Sequence, residues 1–114
     1  MNARANDVVL SVREVLMKKI FLFTFTLPDP LPEDFVIRIP DNRQVINTLM
    51  LEKVISFFAL AMDRRTAWCT VNAESASEAR KIVGRFPLIG WMRYDLNELG
   101  MLNTPAVPPA ISLN

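Results

Sequence analysis

Any chemistry in this chain must proceed without histidine, because the sequence contains none. That removes the commonest general base, the commonest metal ligand and every Ser-His or Cys-His pair. The residues with chemical potential gather in Trp91-Met92-Arg93-Tyr94-Asp95-Leu96. With a period of two, Arg93 and Asp95 share one side of a strand and Tyr94 takes the other. Proton transfer beside a carbonyl needs a base within reach and a donor for the developing oxyanion. Arg93 is the candidate to hold an acidic substrate, and Asp95 or Glu33 the candidate to move the proton. Trp68, Trp91, Thr24 and Tyr94 are candidate contacts to a small ligand. The competing reading is an Arg93–Asp95 ion pair at a strand rim or subunit contact, with indoles that fill core or interface volume. The hydroxyls of Thr24, Thr26, Ser56 and Thr70 either line a chamber or occupy ordinary sheet positions.

Cys69 is the single cysteine and lies in an apolar strand between Trp68 and Thr70. A buried, inert thiol is the expectation, since a nucleophile requires an activating base or cation. One cysteine also forms no internal disulfide, so nothing suggests a bridge-held secreted scaffold. The formal net charge is +1 and the basic residues are scattered. Their closest cluster, Arg64-Arg65 beside Asp63, reads as a turn. Nucleic acid and anionic membranes are therefore not expected partners. No cofactor or metal motif is present to read.

Lys18-Lys19 before Ile20-Phe21-Leu22-Phe23 has the look of a secretory signal. The apolar run is short, however, and Pro28-Asp29-Pro30 stands where small residues for cleavage belong. No apolar segment approaches the roughly eighteen residues needed to span a bilayer. The expectation is a cytoplasmic protein.

The elements that would position these residues form one domain in 114 residues. Residues 1–16 read as an extension, helical or disordered. Residues 17–102 form the domain, and 103–114 a proline-rich arm whose Val107, Ile111 and Leu113 suit docking on a partner subunit. The first strand is Lys19 to Leu27, with Phe21, Phe23, Phe25 and Leu27 on one side. Three prolines then mark a loop, with Phe35 to Ile39 as a short extended piece. Asp41-Asn42 after Pro40 reads as the cap of a short helix ending near Lys53. Strands follow at Val54 to Met62 and Ala67 to Ala73, joined by a turn at Asp63 to Thr66. Ser75 and Glu78 have capping-box spacing, and Ala76, Ala79, Ile82, Val83 and Phe86 recur on one helical face. Pro87 stops that helix, and a last strand follows Gly90. Met50, Met62 and Met92 read as gap-filling core, and Arg80, Lys81 and Arg85 as a solvated face.

This order, β-α-β-β-α-β, predicts an α+β, ferredoxin-like protomer: a four-stranded antiparallel sheet with both helices on one face. The other face is expected to carry Leu22, Thr24, Phe58, Leu60, Trp68, Thr70 and Trp91. A homodimer or higher homo-oligomer pairing such faces would remove them from water.

Glu74-Ser75, Glu78-Ala79, Phe86-Pro87-Leu88, Met92, Tyr94-Asp95-Leu96 and Leu99 form a run that resembles the muconolactone isomerase-like branch of the dimeric α+β-barrel proteins. The Phe21-to-Pro32 strand and proline loop is similar too, so the likeness covers most of Lys18 to Leu102. The resemblance implies sheet-to-sheet dimers, sometimes larger rings exchanging C-terminal arms. It also implies an isomerase that shifts a double bond in a small acidic metabolite by proton transfer, without metal or cofactor. The chain departs from the pattern in its shorter first helix and its N-terminal extension, and no catalytic motif carries over residue by residue. The His-Asp chemistry of a related branch is excluded by composition. The alternative is a non-catalytic oligomer with a ligand-binding or structural role. A roomy chamber with Arg93 and a carboxylate converging on it would favour the enzyme. One plugged by Phe58, Trp68 and Trp91 would favour the structural role.

Overall fold

The computed structural model describes residues 18–103. The expected N-terminal extension and nearly all of the C-terminal arm lie outside the described residues. Strand β1 (Lys19–Thr26) leads into helix α1 (Glu33–Leu51), then β2 (Ile55–Leu60), β3 (Thr66–Ala73), helix α2 (Ala76–Val83), a 3-10 turn (Ile89–Trp91) and β4 (Arg93–Leu99). The strands form one sheet in the order β2-β3-β1-β4, every pairing antiparallel. The fold is ferredoxin-like, as the element order predicts.

The core lies between the helices and one face of this sheet. Phe21, Phe23 and Phe25 of β1 face it, beside Ala67, Cys69 and Val71 of β3, with Ile46 and Leu49 of α1 and Ala79 and Val83 of α2 above them. A strand covered on one face needs apolar residues at alternate positions, and β1 supplies three phenylalanines in that rhythm. Burial pushes the Cys69 thiol up to about 12, which keeps it protonated and inert. At α2 Ser75 caps the helix as the spacing predicts, while the return bond from Glu78 goes to Glu74 N–H, one residue before the cap. Glu78 N–H donates to Ser75 Oγ at 3.1 Å, and the Glu78 carboxylate accepts from Glu74 N–H at 3.1 Å. Arg80, Lys81 and Arg85 are exposed.

Three expectations are corrected. First, α1 is long: it begins at Glu33, contains Pro40 and absorbs the piece expected to be extended. Its buried positions Phe35, Asn42, Ile46 and Leu49 lie on one stripe, so the whole length gains from packing. Pro40 stands on the exposed side and removes only one N–H from the helix. The carbonyl it leaves is that of Val36, itself exposed and open to water. Asn42 is accordingly no cap; it lies mid-helix, and its Oδ1 accepts from Leu88 N–H at 3.2 Å. The helix closes with Lys53 in the left-handed region at φ 62°, while Lys53 N–H donates to Met50 C=O and Val54 N–H to Leu49 C=O. That is the double bond pattern of a Schellman end, with lysine in the place glycine usually takes.

Second, β2 is read on the opposite face beyond Ser56. The ladder pairs Ile55 with Val71 but Phe57 with Thr70 and Phe58 with Cys69, so Ser56 is an extra residue in the strand. Such a bulge reverses the side of every later side chain. Phe58 and Leu60 therefore face the helices, and Phe57 and Ala59 face the other side, uncovered among the described residues. Third, neither Met50 nor Met62 fills a core gap. Met50 is 37% exposed, and Met62 projects from the β2–β3 turn and is 96% exposed.

That turn is otherwise the one expected. Asp63 Oδ1 accepts from Arg65 N–H at 3.0 Å and Arg64 adopts φ 62°. The Arg65 guanidinium meets Asp29 at 2.7 Å, tying the proline loop to the hairpin. No helix among the described residues is long and apolar enough to cross a membrane.

Candidate functional site

The uncovered face is organised by strand register. Trp68 on β3 is level with Thr24 on β1, and Thr24 is level with Asp95 on β4. Ala59 of β2 extends the row beyond Trp68. Directly opposite residues on neighbouring strands stand about 5 Å apart at Cβ, so the indole, hydroxyl and carboxylate form one transverse line. Arg93 lies two residues before Asp95 on the same side, level with Thr26. The next row holds Phe57, Thr70, Leu22 and Asn97. The face is thus apolar towards β2 and β3 and polar along β4.

Thr70 occupies an unusual position in that second row. It is fully buried, flanked by Leu22 and Phe57, and its Oγ1 has no hydrogen-bond partner among the described residues. A buried hydroxyl without a partner carries its full desolvation penalty. Its neighbour Asn72 is satisfied, with Nδ2 donating to Lys53 C=O at 3.0 Å and to Ser56 Oγ at 3.3 Å.

Arg93, Asp95, Thr24 and Trp68 are brought together on this face, and the other predicted site residues are not. Trp91 sits in the 3-10 turn against α1, edge-on to Phe35 at 6.3 Å and with the Arg38 guanidinium 5.6 Å above its ring. The turn delays β4 until Arg93, which takes Trp91 out of the strand rhythm. Tyr94 faces the helices, packed edge-on against Phe23 at 5.1 Å and Phe25 at 5.9 Å. Glu33 is exposed in the first turn of α1, in the helix layer. A carboxylate there stabilises the positive end of the helix. The ion pairs among the described residues join Lys19 to Glu98 and Arg65 to Asp29, so the competing Arg93–Asp95 pair is not formed within the chain.

An apolar cavity among the described residues lies elsewhere, in a part of the fold that sequence reading did not single out. A cleft of about 350 Å³ opens between α1 and the sheet. Phe35, Ile46, Met50, Phe58, Leu60 and Met92 supply much of its apolar wall, and Asn42, Arg43, Asn47 and Arg64 its polar groups. The signal was available in the spacing of Ile39, Asn42, Arg43, Ile46, Asn47 and Met50, a continuous helical face. It was hidden because Pro40 made the helix look as though it began only afterwards.

No protein-family model matches the chain, and no curated protein matches it in sequence. Function must therefore be argued from the two faces of the sheet.

Proposed function

We propose that the protein works as a two-fold homodimer, sheet against sheet, enclosing a chamber in which a small acidic metabolite is isomerised by proton transfer without a cofactor. This is the chemistry implied by the likeness to muconolactone isomerase-like proteins. The carrying observation is the alignment of Trp68, Thr24 and Asp95 in one row, with Arg93 beside it on the same face. In this reading Arg93 holds the substrate carboxylate as a charge-assisted pair. The Asp95 carboxylate takes a proton from the carbon next to the carbonyl and returns it at the far end of the shifted double bond. Thr24, level with Asp95, is a hydroxyl donor for the developing oxyanion. Trp68 covers the flat side of the substrate.

Two further observations support this reading. Phe58 and Trp91, two of the three residues whose presence in the chamber would favour the structural role, both lie on the helix side, which leaves Trp68 as the only indole of the two on the face. Ile20, Leu22, Phe57 and Leu99 are half-buried there, apolar surface that a second copy would cover.

The test combines solution mass with turnover of muconolactone in deuterated buffer. A dimer at micromolar concentration, with solvent deuterium entering the product, is expected. Asp95→Asn should lower the rate about a hundredfold or more while leaving the mass unchanged. A stable monomer would remove the chamber, and an unaffected Asp95→Asn rate would remove the proposed base. A non-catalytic ligand-binding protein is the second reading. The α1 cleft favours it, because its walls offer guanidinium and amide groups but no carboxylate.

A further inference from the structure

We infer that the cleft between α1 and the sheet is a binding site for an apolar monocarboxylate, separate from the uncovered sheet face. The walls define the ligand from two directions. Phe35, Ile46, Phe58 and Met92 make the body of the cleft apolar, so the ligand presents hydrocarbon or an aromatic ring to them. The volume of about 350 Å³ holds about twelve water-sized groups at roughly 30 Å³ each. That range includes a medium-chain acid.

The charge at the mouth sets the head group. Arg43 and Arg64 both line the cleft and are exposed, and no aspartate or glutamate among the described residues lines it. Two guanidiniums with no carboxylate among the described residues lining the same cleft are complementary to an anion. Their placement has independent origins, one on α1 and one in the β2–β3 turn. Arg64 reaches the cleft from a backbone held at φ 62°, a conformation that a side chain other than glycine, asparagine or aspartate seldom adopts.

Asn42 supplies the inner polar contact. It is 7% exposed and borders the cleft, and its Oδ1 is occupied by Leu88 N–H. Its Nδ2 makes no hydrogen bond among the described residues and opens to the cleft, although an amide nitrogen carries two donors. A carboxylate oxygen held by the two guanidiniums can accept from it there. Asn42 is thus a hinge between the fold and the ligand, its oxygen holding the turn after α2 and its nitrogen left for the guest.

The decisive experiment is titration of the full chain with octanoate, compared with octanol and with acetate. Binding of one octanoate per chain is expected, with octanol at least about tenfold weaker, since a hydrogen-bonded charge contributes more than a factor of ten. Acetate, lacking the body, should not bind measurably. The Arg43→Met, Arg64→Met double variant should weaken octanoate by about tenfold or more while unfolding at the same denaturant concentration as the parent. Methyl-labelled methionines locate the ligand. Contacts from octanoate to the Met50 and Met92 methyls are expected, whereas contacts to the Trp68 indole would move it to the sheet face and overturn the assignment. Equal binding of octanol, or an unchanged affinity in the double variant, would do the same. Neither result bears on the isomerase reading, which requires Asp95 and not Arg43.

Discussion

Phe23 and Phe57 are the same residue on opposite faces of one sheet, and they summarise the two halves of the molecule. Phe23 is fully buried beneath the helices and stacked on Phe25 at 5.8 Å. Phe57 is half-buried on the other side, which neither α1 nor α2 covers. The helix side has a packed core, and beside it a cleft carrying two arginines and a spare amide. The uncovered side has apolar surface on β1, β2 and β3, with its charges confined to β4. The helix side is packed within one chain, while the other side presents half-buried apolar residues that neither α1 nor α2 covers. The difference separates stability, which rests on the first, from the proposed assembly and the proposed chemistry, which rest on the second.

The contrast is broken or sharpened most strongly by the same truncation on each face. Phe23→Ala should destabilise the fold by about 3–5 kcal/mol, through lost burial and the cavity left behind. Phe57→Ala should cost much less in chemical denaturation of the dilute protein, and should instead shift sedimentation towards monomer. Equal losses in dilute solution would mean that both faces are already closed within one chain.

A smaller effect is expected at the joint between fold and cleft. Asn42→Ala removes the acceptor of the buried Leu88 N–H, which should lower stability by about 1–3 kcal/mol. It should also weaken octanoate, a coupling that a purely structural asparagine would not produce.

Alkaline pH tests the dryness of the helix side. The Cys69 thiol ionises near 9.0 when free and at about 12 when folded. Between those values the native state binds more protons than the unfolded chain, so stability is full below about pH 9 and falls as pH rises towards about 12. Comparison of the parent with Cys69→Ala by denaturant unfolding across that window should show the slope only in the parent. A thiol reagent should react with the native protein far more slowly than with the unfolded chain.

The smallest effect belongs to the second row of the uncovered face. Thr70→Val replaces a buried, unpartnered hydroxyl by a methyl of similar shape, so stability should stay within about 1 kcal/mol of the parent or rise. A larger loss would show that the hydroxyl is satisfied in solution by a group from outside the described residues.

Much of the fold was legible before any coordinates. Alternation gave β1 and the face that its phenylalanines bury, Ser75 and Glu78 announced α2, and the element order implied the sheet. The site was only partly legible. Arg93 and Asp95 share a face because strand period requires it, but alternation alone cannot show that Thr24 lies level with Asp95 and Trp68. Trp91 was grouped with them by extending the strand rhythm back to residue 91 and Glu33 by residue type, and neither has a place in the sheet.

Local pattern is enough when a property depends on neighbours a few residues away, such as a strand rhythm, a capping bond or the inertness of a thiol in an apolar run. It is not enough where a long-range contact outweighs a local preference. Burial of the stripe from Phe35 to Leu49 overrides Pro40, and only the partner strand reveals that Ser56 is surplus. Those two tertiary facts bring Phe58 and Leu60 beneath α1, create the cleft and leave Phe57 on the uncovered side.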